Sequence, residues 1–375
     1  MRYFDYAATT PVSQEAAQAM LEVLTRSFGN PSAQYELGRE AKARLDRDRA
    51  AVAGALGCRP DQLFFTSCGT EGDNWAIRAA LHQNRRVGRH IVTTAVEHSA
   101  VLQCVKQLER EGCGVTYLKP DAGGRITADQ VAAALREDTA LVSVMLVNNE
   151  TGTRLPVEEI AALLRDRPAL LHTDAVQGFL KVPFTAGRLG ADYVTISAHK
   201  VGGPKGIGAL YIGGRARNTQ PLLYGGGQEA GLRPGTEATA QIAGFARAVE
   251  LRLERLEEDR AHLAACRDYA REKLAGIPDL RFVGAADAPH ILSLSLPGYP
   301  SQNIVGELSG QGIYLSAGSA CHRGKVSHVL AAMGLDKRTA AGTVRVSFGP
   351  ETTFEDIDAL HDALLAHRNT RFPML

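Results

Sequence analysis

The chain has 375 residues, of which 45% are hydrophobic, so it is long enough for a large domain and a smaller one. Its 42 basic and 41 acidic residues give a formal net charge of +1, which offers no electrostatic argument for nucleic acid or a membrane surface as a partner. The N-terminus lacks a signal-peptide core, and the six cysteines have no metal-site spacing. We therefore expect a cytoplasmic protein with reduced thiols and no metal site.

Strands and helices alternate through the first part of the chain. After an extended or turn-like opening at 5–11, Ser13 is expected to cap the first helix. Further helices are predicted at 38–56, 75–81, 101–108, 127–135 and 157–164, and strands at 63–66, 90–94, 115–118, 140–147, 170–174, 193–197 and 209–212. Continuous apolar strands that alternate with helices favour the α/β class, with a mostly parallel sheet covered on both faces.

Polar residues follow these strands at the points where ligands bind in parallel sheets. Each of them could be explained singly as a cap or turn former. A phosphate cradle, a histidine, a carboxylate and an amine that all follow strands are not expected together by chance. The strand-end residues are Gly69 and Thr70, His98, Asn149, Asp174 and Gln177, and Ser197, His199 and Lys200.

Lys200 ends a β-branched strand and enters a glycine-rich turn at 202–208. Desolvation and neighbouring cations lower the pKa of a lysine, which leaves its amine free to form a Schiff base with an aldehyde. A solvated surface charge is the ordinary alternative for this single residue.

Pyridoxal 5′-phosphate (PLP) requires the groups found at these strand ends. Lys200 would hold the aldehyde, and Asp174 would face the ring nitrogen so that the ring acts as an electron sink. His98 could cover the ring face, and Gln177 and Asn149 could hydrogen-bond to the ring hydroxyl. The expected phosphate site contains Gly69, Thr70, Ser197 and His199.

The second part of the chain has a different pattern. A long helix is predicted over 239–274, and the composition changes near 276–278. Beyond it, strands are predicted at 291–296, 313–315 and 343–348, and helices at 302–309, 326–333 and 354–367. The prediction is a large PLP-binding α/β domain over 13–255 and a small α+β domain formed by 1–12 and 256–375.

Motifs in a fixed order run through nearly the whole chain. They occupy 5–11, 29–32, 65–67 with 70–71, 97–98, 147–152, 174–177, 197–211, 225–229 and 316–321. In these stretches the chain resembles the cysteine desulfurase family, PLP-dependent enzymes of fold type I in the class V aminotransferase group.

The resemblance implies conversion of L-cysteine to L-alanine, with the sulfur carried as a persulfide on Cys321. Lys200, helped by His98, would move the substrate Cα proton, and Arg345 would bind the substrate carboxylate near Asn149. The resemblance also implies a homodimer in which Thr236 reaches the PLP phosphate of the partner subunit. A sulfur-acceptor or scaffold protein would take the sulfur toward iron–sulfur clusters or thiolated tRNA and cofactors.

Cys321 lies between Gly318 and Gly324, beside the cationic run His322, Arg323 and Lys325. Nearby cations favour the thiolate form, which is the nucleophile. A small buried hydrophobe is the alternative for a lone cysteine.

Other functions stay open at this stage. A selenocysteine lyase or a class V aminotransferase would use the same PLP site, and a non-catalytic scaffold would only bind sulfur-transfer partners. Arg345, which lies on a predicted strand, could instead form a structural ion pair.

Overall fold

The structure is a computed structural model that describes residues 1–318 and 327–374. Its strands are β1 (Arg2–Tyr3), β2 (Leu63–Thr66), β3 (His90–Thr94), β4 (Gly114–Leu118), β5 (Thr139–Ser143), β6 (Leu170–Asp174), β7 (Tyr193–Ser197), β8 (Gly208–Ile212), β9 (Arg281–Val283), β10 (Ile291–Ser295), β11 (Ile313–Tyr314) and β12 (Thr343–Ser347). Its helices are α1 (Gln14–Thr25), α2 (Glu36–Leu56), α3 (Gly69–Gln83), α4 (Ser99–Arg110), α5 (Ala128–Ala134), α6 (Val157–Leu164), α7 (Ala186–Leu189), α8 (Thr239–Glu254), α9 (Leu256–Leu274), α10 (Ser301–Gly310), α11 (His328–Ala332), α12 (Lys337–Ala341) and α13 (Phe354–Thr370).

The largest sheet has the strand order β2-β8-β7-β6-β5-β3-β4. Strands β4, β3, β5, β6 and β7 pair in parallel, whereas β8 is antiparallel to both β2 and β7. Because side chains alternate along a strand, Ile91 and Val92 enter two different cores. One core contains apolar side chains of α3 and α4, and the other those of α2, α6 and α8, so the sheet is buried on both faces. The predicted mostly parallel α/β sheet is confirmed.

A third apolar core lies outside the large sheet. It joins Phe4 to side chains of α9, α10, α13 and the antiparallel sheet β12-β10-β9. Strand β1 pairs in parallel with β11, which fixes the N-terminus beside this core. The division into 13–255 and 1–12 with 256–375 remains a prediction, which the separate core supports.

Some elements differ from the sequence-based expectations. The strand predicted over 140–147 ends at Ser143, because Met145 donates its backbone N–H to the Glu97 carboxyl instead of to a neighbouring strand. The single helix predicted over 239–274 is two helices, interrupted at Arg255, where the backbone angles are φ −124° and ψ 19°. Strand β9 and helices α7 and α12 have no counterpart in the prediction, because three to five residues give too short a periodic pattern.

The described residues contain no helix that is both long and apolar enough to cross a membrane.

Candidate active site

A cavity of about 260 Å³ opens at the carboxyl ends of β2, β6 and β7. This edge is where a parallel sheet presents ligand-binding residues. The cavity brings together most of the predicted site residues, namely Gly69, Thr70, His98, Asn149, Asp174, Gln177, Ser197, His199, Lys200 and Arg345. Ala7, Ala8, Cys68, Asp73, Met145, Val147 and Val176 complete its lining.

Lys200 belongs to a 3₁₀ turn (Ala198–Lys200) that directly follows β7. Its Nζ donates hydrogen bonds to the backbone carbonyls of Ala7 and Ala8, both at 2.7 Å. These two residues also line the cavity, so the amine lies at the boundary between the large sheet and the N-terminal segment. The amine is therefore held in the site by backbone acceptors.

Asp174 is the last residue of β6, and it is 6% exposed. One carboxyl oxygen accepts the backbone N–H of Val176 at 2.9 Å. The pKa of Asp174 is raised to about 6, mainly by burial and also by the nearby Asp73 carboxyl, while His98 opposes the rise. A protonated ring nitrogen at this carboxyl would supply the positive charge that favours the ionised form.

Two further buried carboxyls lie near Asp174. Burial raises the pKa of Asp73 to about 7 and that of Glu97 to about 8. Asp73 was missed by sequence reasoning, although its position three residues after Thr70 places it on the same face of α3. Ligand atoms of Asp73, His98 and Asp174 lie within 4.8 Å of one another, a spacing that a metal ion could also use. All three residues line the cavity in which PLP is expected.

The expected phosphate site is formed by the start of α3 and the end of β7. Cys68 precedes α3, whose first turn contains Gly69 and Thr70, so backbone N–H groups and the positive end of the helix dipole meet here. A Cβ atom at Gly69 would lie 3.0 Å from Val176, which explains the small residue. The Ser197 hydroxyl is buried and has no hydrogen-bond partner among the described residues. A phosphate would provide that partner.

The two site histidines are held neutral. Burial lowers the pKa of His199 to about 4, with Lys200 and other lysines adding to the effect, and burial also lowers the pKa of His98. His98 is the N-cap of α4, where its Nδ1 accepts the backbone N–H of Ala100 at 3.2 Å. The proton of the neutral ring is therefore assigned to Nε2. In this tautomer the Nε2 atom of His98 can act only as a hydrogen-bond donor.

Arg345, on β12, is 4% exposed and reaches the cavity from the small sheet. Its guanidinium forms an ion pair with Asp5 at 2.7 Å and donates to the backbone carbonyl of Asn149 at 2.7 Å. The Nε atom is buried without a hydrogen-bond partner among the described residues. The structure therefore contains the ion pair considered as an alternative and also places Arg345 at the site.

One predicted site residue does not line the cavity, and another lies outside the described residues. Thr236 is exposed and does not line it, so its proposed contact with a partner subunit remains a prediction. Cys321 lies outside the described residues, together with His322, Arg323, Gly324 and Lys325. On the C-terminal side of this gap, Ser327 donates a hydrogen bond to Glu150 at 2.5 Å. Because Glu150 follows Asn149, that end of the gap lies close to the cavity.

The fold and the site together define a PLP-dependent enzyme of fold type I. The family model for aminotransferase class V matches residues 2–360, and the chain belongs to this family. Within it, the cysteine desulfurase IscS of Methanosarcina thermophila is 40% identical over 360 residues, covering 95% of this chain and 89% of the relative. The chain is accordingly a member of the cysteine desulfurases.

Solved structures agree with this assignment. A NifS-like protein has a TM-score of 0.93 and 36% identity, covering 99% of this chain and 100% of that protein. SspA in complex with cysteine has a TM-score of 0.82 and 34% identity, covering 94% of this chain and 100% of that protein. The predicted family, fold class, PLP cofactor and enzymatic function as a cysteine desulfurase are confirmed.

Proposed function

We propose that this protein converts L-cysteine to L-alanine and carries the released sulfur as a persulfide on Cys321. The observation that carries the proposal is that Lys200, Asp174 and Ser197 line one cavity. PLP requires an amine for its aldehyde, a carboxylate for its ring nitrogen and donors for its phosphate. The similarity to SspA in complex with cysteine supports cysteine as the substrate.

The chemistry of the residues present fits PLP. The Ser197 hydroxyl is buried without a partner among the described residues, and a phosphate beside it would accept its hydrogen bond. Asp174 has one oxygen bonded to Val176 and lines the cavity, where it can face a ring nitrogen. When bound, PLP supplies an electron sink for the negative charge that develops at the substrate Cα.

We assign the movement of the Cα proton to Lys200. Its amine is already oriented by two backbone carbonyls, which would lose these hydrogen bonds when the amine reacts and would accept them again from the ammonium formed when it takes up the proton. His98 contributes differently, because its Nδ1 lone pair is used by the Ala100 N–H and its Nε2 carries the proton. We propose that His98 covers the ring and donates a hydrogen bond there.

Arg345 is the proposed partner of the substrate carboxylate. It is a buried guanidinium at the cavity wall, where two parallel N–H···O bonds give strong and directional binding. Asp5 and the Asn149 carbonyl hold two of its nitrogens, which fixes the plane of the group. The buried Nε donor has no hydrogen-bond partner among the described residues, and a substrate carboxylate would provide one.

Cys321 is proposed as the sulfur acceptor on the sequence pattern alone. Its thiolate would attack the substrate sulfur, so that the Cys321 S–S bond forms while the substrate C–S bond breaks. The electron pair of that C–S bond remains with the three-carbon product, which takes up protons and leaves as alanine. A thiol acceptor then reduces the persulfide and receives the sulfur.

The test uses purified protein reconstituted with PLP and incubated with L-cysteine and dithiothreitol. We expect alanine and sulfide in equal amounts, and without dithiothreitol a persulfide on Cys321 in peptide mass spectra. Borohydride should attach the pyridoxyl group to Lys200. Cys321→Ala should abolish sulfide release, whereas the control Cys58→Ala, at a half-buried cysteine outside the cavity, should retain it.

Each other result contradicts the proposal. Undiminished sulfur release by Cys321→Ala would favour a persulfide-independent enzyme such as a selenocysteine lyase, and alanine formation only with a keto-acid acceptor would favour an aminotransferase. A protein without the absorbance band near ~420 nm that the Schiff base gives would favour a scaffold without catalytic activity.

We also propose a homodimer. Leu223 and Tyr224, which are 56% and 84% exposed, precede the loop that contains Thr236 and provide apolar surface for a second subunit. Gel filtration of wild type against a Tyr224→Asp variant tests it, and a monomeric wild type would contradict it.

The cytoplasmic location and the iron–sulfur or tRNA and cofactor thiolation pathway stay predictions.

A further inference from the structure

Gln177 lines the cavity, and its side-chain amide also forms hydrogen bonds with the Ala7 carbonyl and with His290, which is not part of the cavity lining. Its side-chain nitrogen donates to the backbone carbonyl of Ala7 at 2.8 Å, and its side-chain oxygen lies 3.3 Å from Nε2 of His290. A backbone carbonyl can only accept, so the amide nitrogen must lie on the side of Ala7. The amide oxygen must then lie on the side of His290.

This arrangement also determines the tautomer of His290. Because the Gln177 oxygen is an acceptor, Nε2 of His290 must carry the proton and donate it. The ring is fully buried, and its Nδ1 atom has no hydrogen-bond partner among the described residues. The hydrogen bond to Gln177 is therefore the one polar contact described for this side chain.

Burial and the surrounding charged groups keep His290 neutral. Burial lowers its pKa well below the usual value, and Lys181, Arg345 and Lys200 lower it further. The Lys181 amine is itself buried without a hydrogen-bond partner among the described residues. Protonation of Nδ1 would place another positive charge beside these groups. His290 thus remains a neutral donor to Gln177 at neutral pH.

We propose that His290 is a positioning residue, which holds the Gln177 amide in the orientation that presents its second N–H to the ring hydroxyl of PLP. The inference rests on the proposed function, because it requires PLP in the cavity with Gln177 at that hydroxyl. His290 directly precedes β10, so the small sheet would thereby orient a cofactor contact on the large sheet.

The effect can be read from the bound cofactor without any turnover. An N–H donated to the ring oxygen stabilises its negative charge and competes with the imine proton for that oxygen. When the donor is lost, the oxygen holds the imine proton more strongly. The Schiff base then loses its proton at a higher pH.

The experiment is a spectrophotometric pH titration of the protein reconstituted with PLP, without substrate. In His290→Phe, the midpoint of the change in the band near ~420 nm should rise by about one pH unit, the size expected for one hydrogen bond to a charged group. His290→Gln, which can place an N–H donor toward Gln177, should restore the wild-type midpoint. The control His262→Phe should leave it unchanged, because His262 bonds to the Thr352 carbonyl away from the cavity.

Gln177→Leu supplies a second route should His290→Phe fail to fold. It should raise the midpoint by the same amount, and the double variant should add no further shift. A wild-type protein without the band would overturn the proposed function together with this inference. A normal wild-type band, with an unchanged midpoint in His290→Phe or in Gln177→Leu, would overturn the inference alone.

Discussion

The two sides of the cavity are built in different ways. The sheet side is formed by Gly69, Asp174, Ser197 and Lys200, each at the end of a strand or in the turn or helix that follows it in the large sheet. The opposite side is formed by the segment 5–8 together with Arg345 of the small sheet. Asp5 and Arg345, which form its ion pair, are 340 residues apart in the sequence. The side expected to bind PLP thus consists of residues that directly follow strands of one sheet. The side expected to bind substrate is formed by residues from near the two ends of the chain.

The two sides also differ in charge. Asp73, Glu97 and Asp174 form a buried acidic group on the sheet side, in which Asp174 has the lowest pKa, about 6, while the Arg345 guanidinium lies on the other side. A ligand with a protonated ring nitrogen at one end and a carboxylate at the other matches this polarity. The comparison predicts that changes on the sheet side affect the chemical step, and that changes on the opposite side affect substrate binding.

The largest effect is expected from Asp174→Asn. The amide keeps the contact to the Val176 N–H but cannot hold the ring nitrogen protonated, so kcat/KM for L-cysteine should fall by about 10²–10³, mainly through kcat. The control Asp192→Asn changes a buried carboxyl that bonds to Leu171 away from the cavity, and it should retain activity. Steady-state kinetics of PLP-loaded protein provide the measurement, and equal losses in both variants would contradict the role of Asp174.

Arg345→Ala should produce the opposite kinetic pattern. Loss of charged hydrogen bonds to the substrate carboxylate should raise KM for L-cysteine by about 10–100-fold with a smaller change in kcat. Asp5→Ala should raise KM less, because it removes only the group that orients Arg345. If KM stays constant in Arg345→Ala, the arginine serves only as a structural ion pair and the comparison between the two sides fails.

Glu97→Gln tests the acidic group through stability. The wild-type carboxyl has a folded pKa of about 8 against an unfolded value near ~4.3, so folding binds a proton and stability falls as pH rises between these values. The uncharged glutamine of the variant does not titrate, so this pH-dependent loss of stability is absent from the variant. Its free energy of unfolding relative to wild type should increase by about 1.4 kcal/mol per pH unit up to pH ~8 and then level off.

Urea unfolding at several pH values measures this difference. Glu272→Gln, at an exposed position on α9, is the control and should show no comparable trend. A constant difference between Glu97→Gln and wild type across the range would contradict the raised pKa.

The smallest effect is expected from Thr10→Ala. The Thr10 hydroxyl accepts the Gly202 N–H and donates to the His199 carbonyl, which ties the N-terminal segment to the turn around Lys200. Its loss should reduce the free energy of unfolding by about 1–2 kcal/mol, because a buried N–H loses its partner. The control Thr25→Ala changes an exposed hydroxyl that bonds to Leu21, and thermal unfolding should show a smaller loss there.

The sequence was most informative where structure is local. Ser13 caps α1, and the helix 157–164 and the strands 63–66, 90–94 and 170–174 have the predicted bounds, because capping and apolar periodicity act over a few residues. It failed at Arg255, where neither glycine nor proline marks the break between α8 and α9. It also missed Asp73 and His290, which are ordinary residues in their own segments and acquire a role only from their neighbours.

By itself, the sequence determined that strands alternate with helices and that an amine, a carboxylate and a phosphate cradle follow the strands, which was enough to indicate PLP. Only the tertiary structure decided that Ala7 and Ala8 hold Lys200, that Asp5 pairs with Arg345 and that His290 faces Gln177. The physical reason is the separation along the chain of the residues that interact. Periodicity and turn chemistry depend on neighbours along the chain, whereas these hydrogen bonds join segments more than 100 residues apart that come together only when the cores pack.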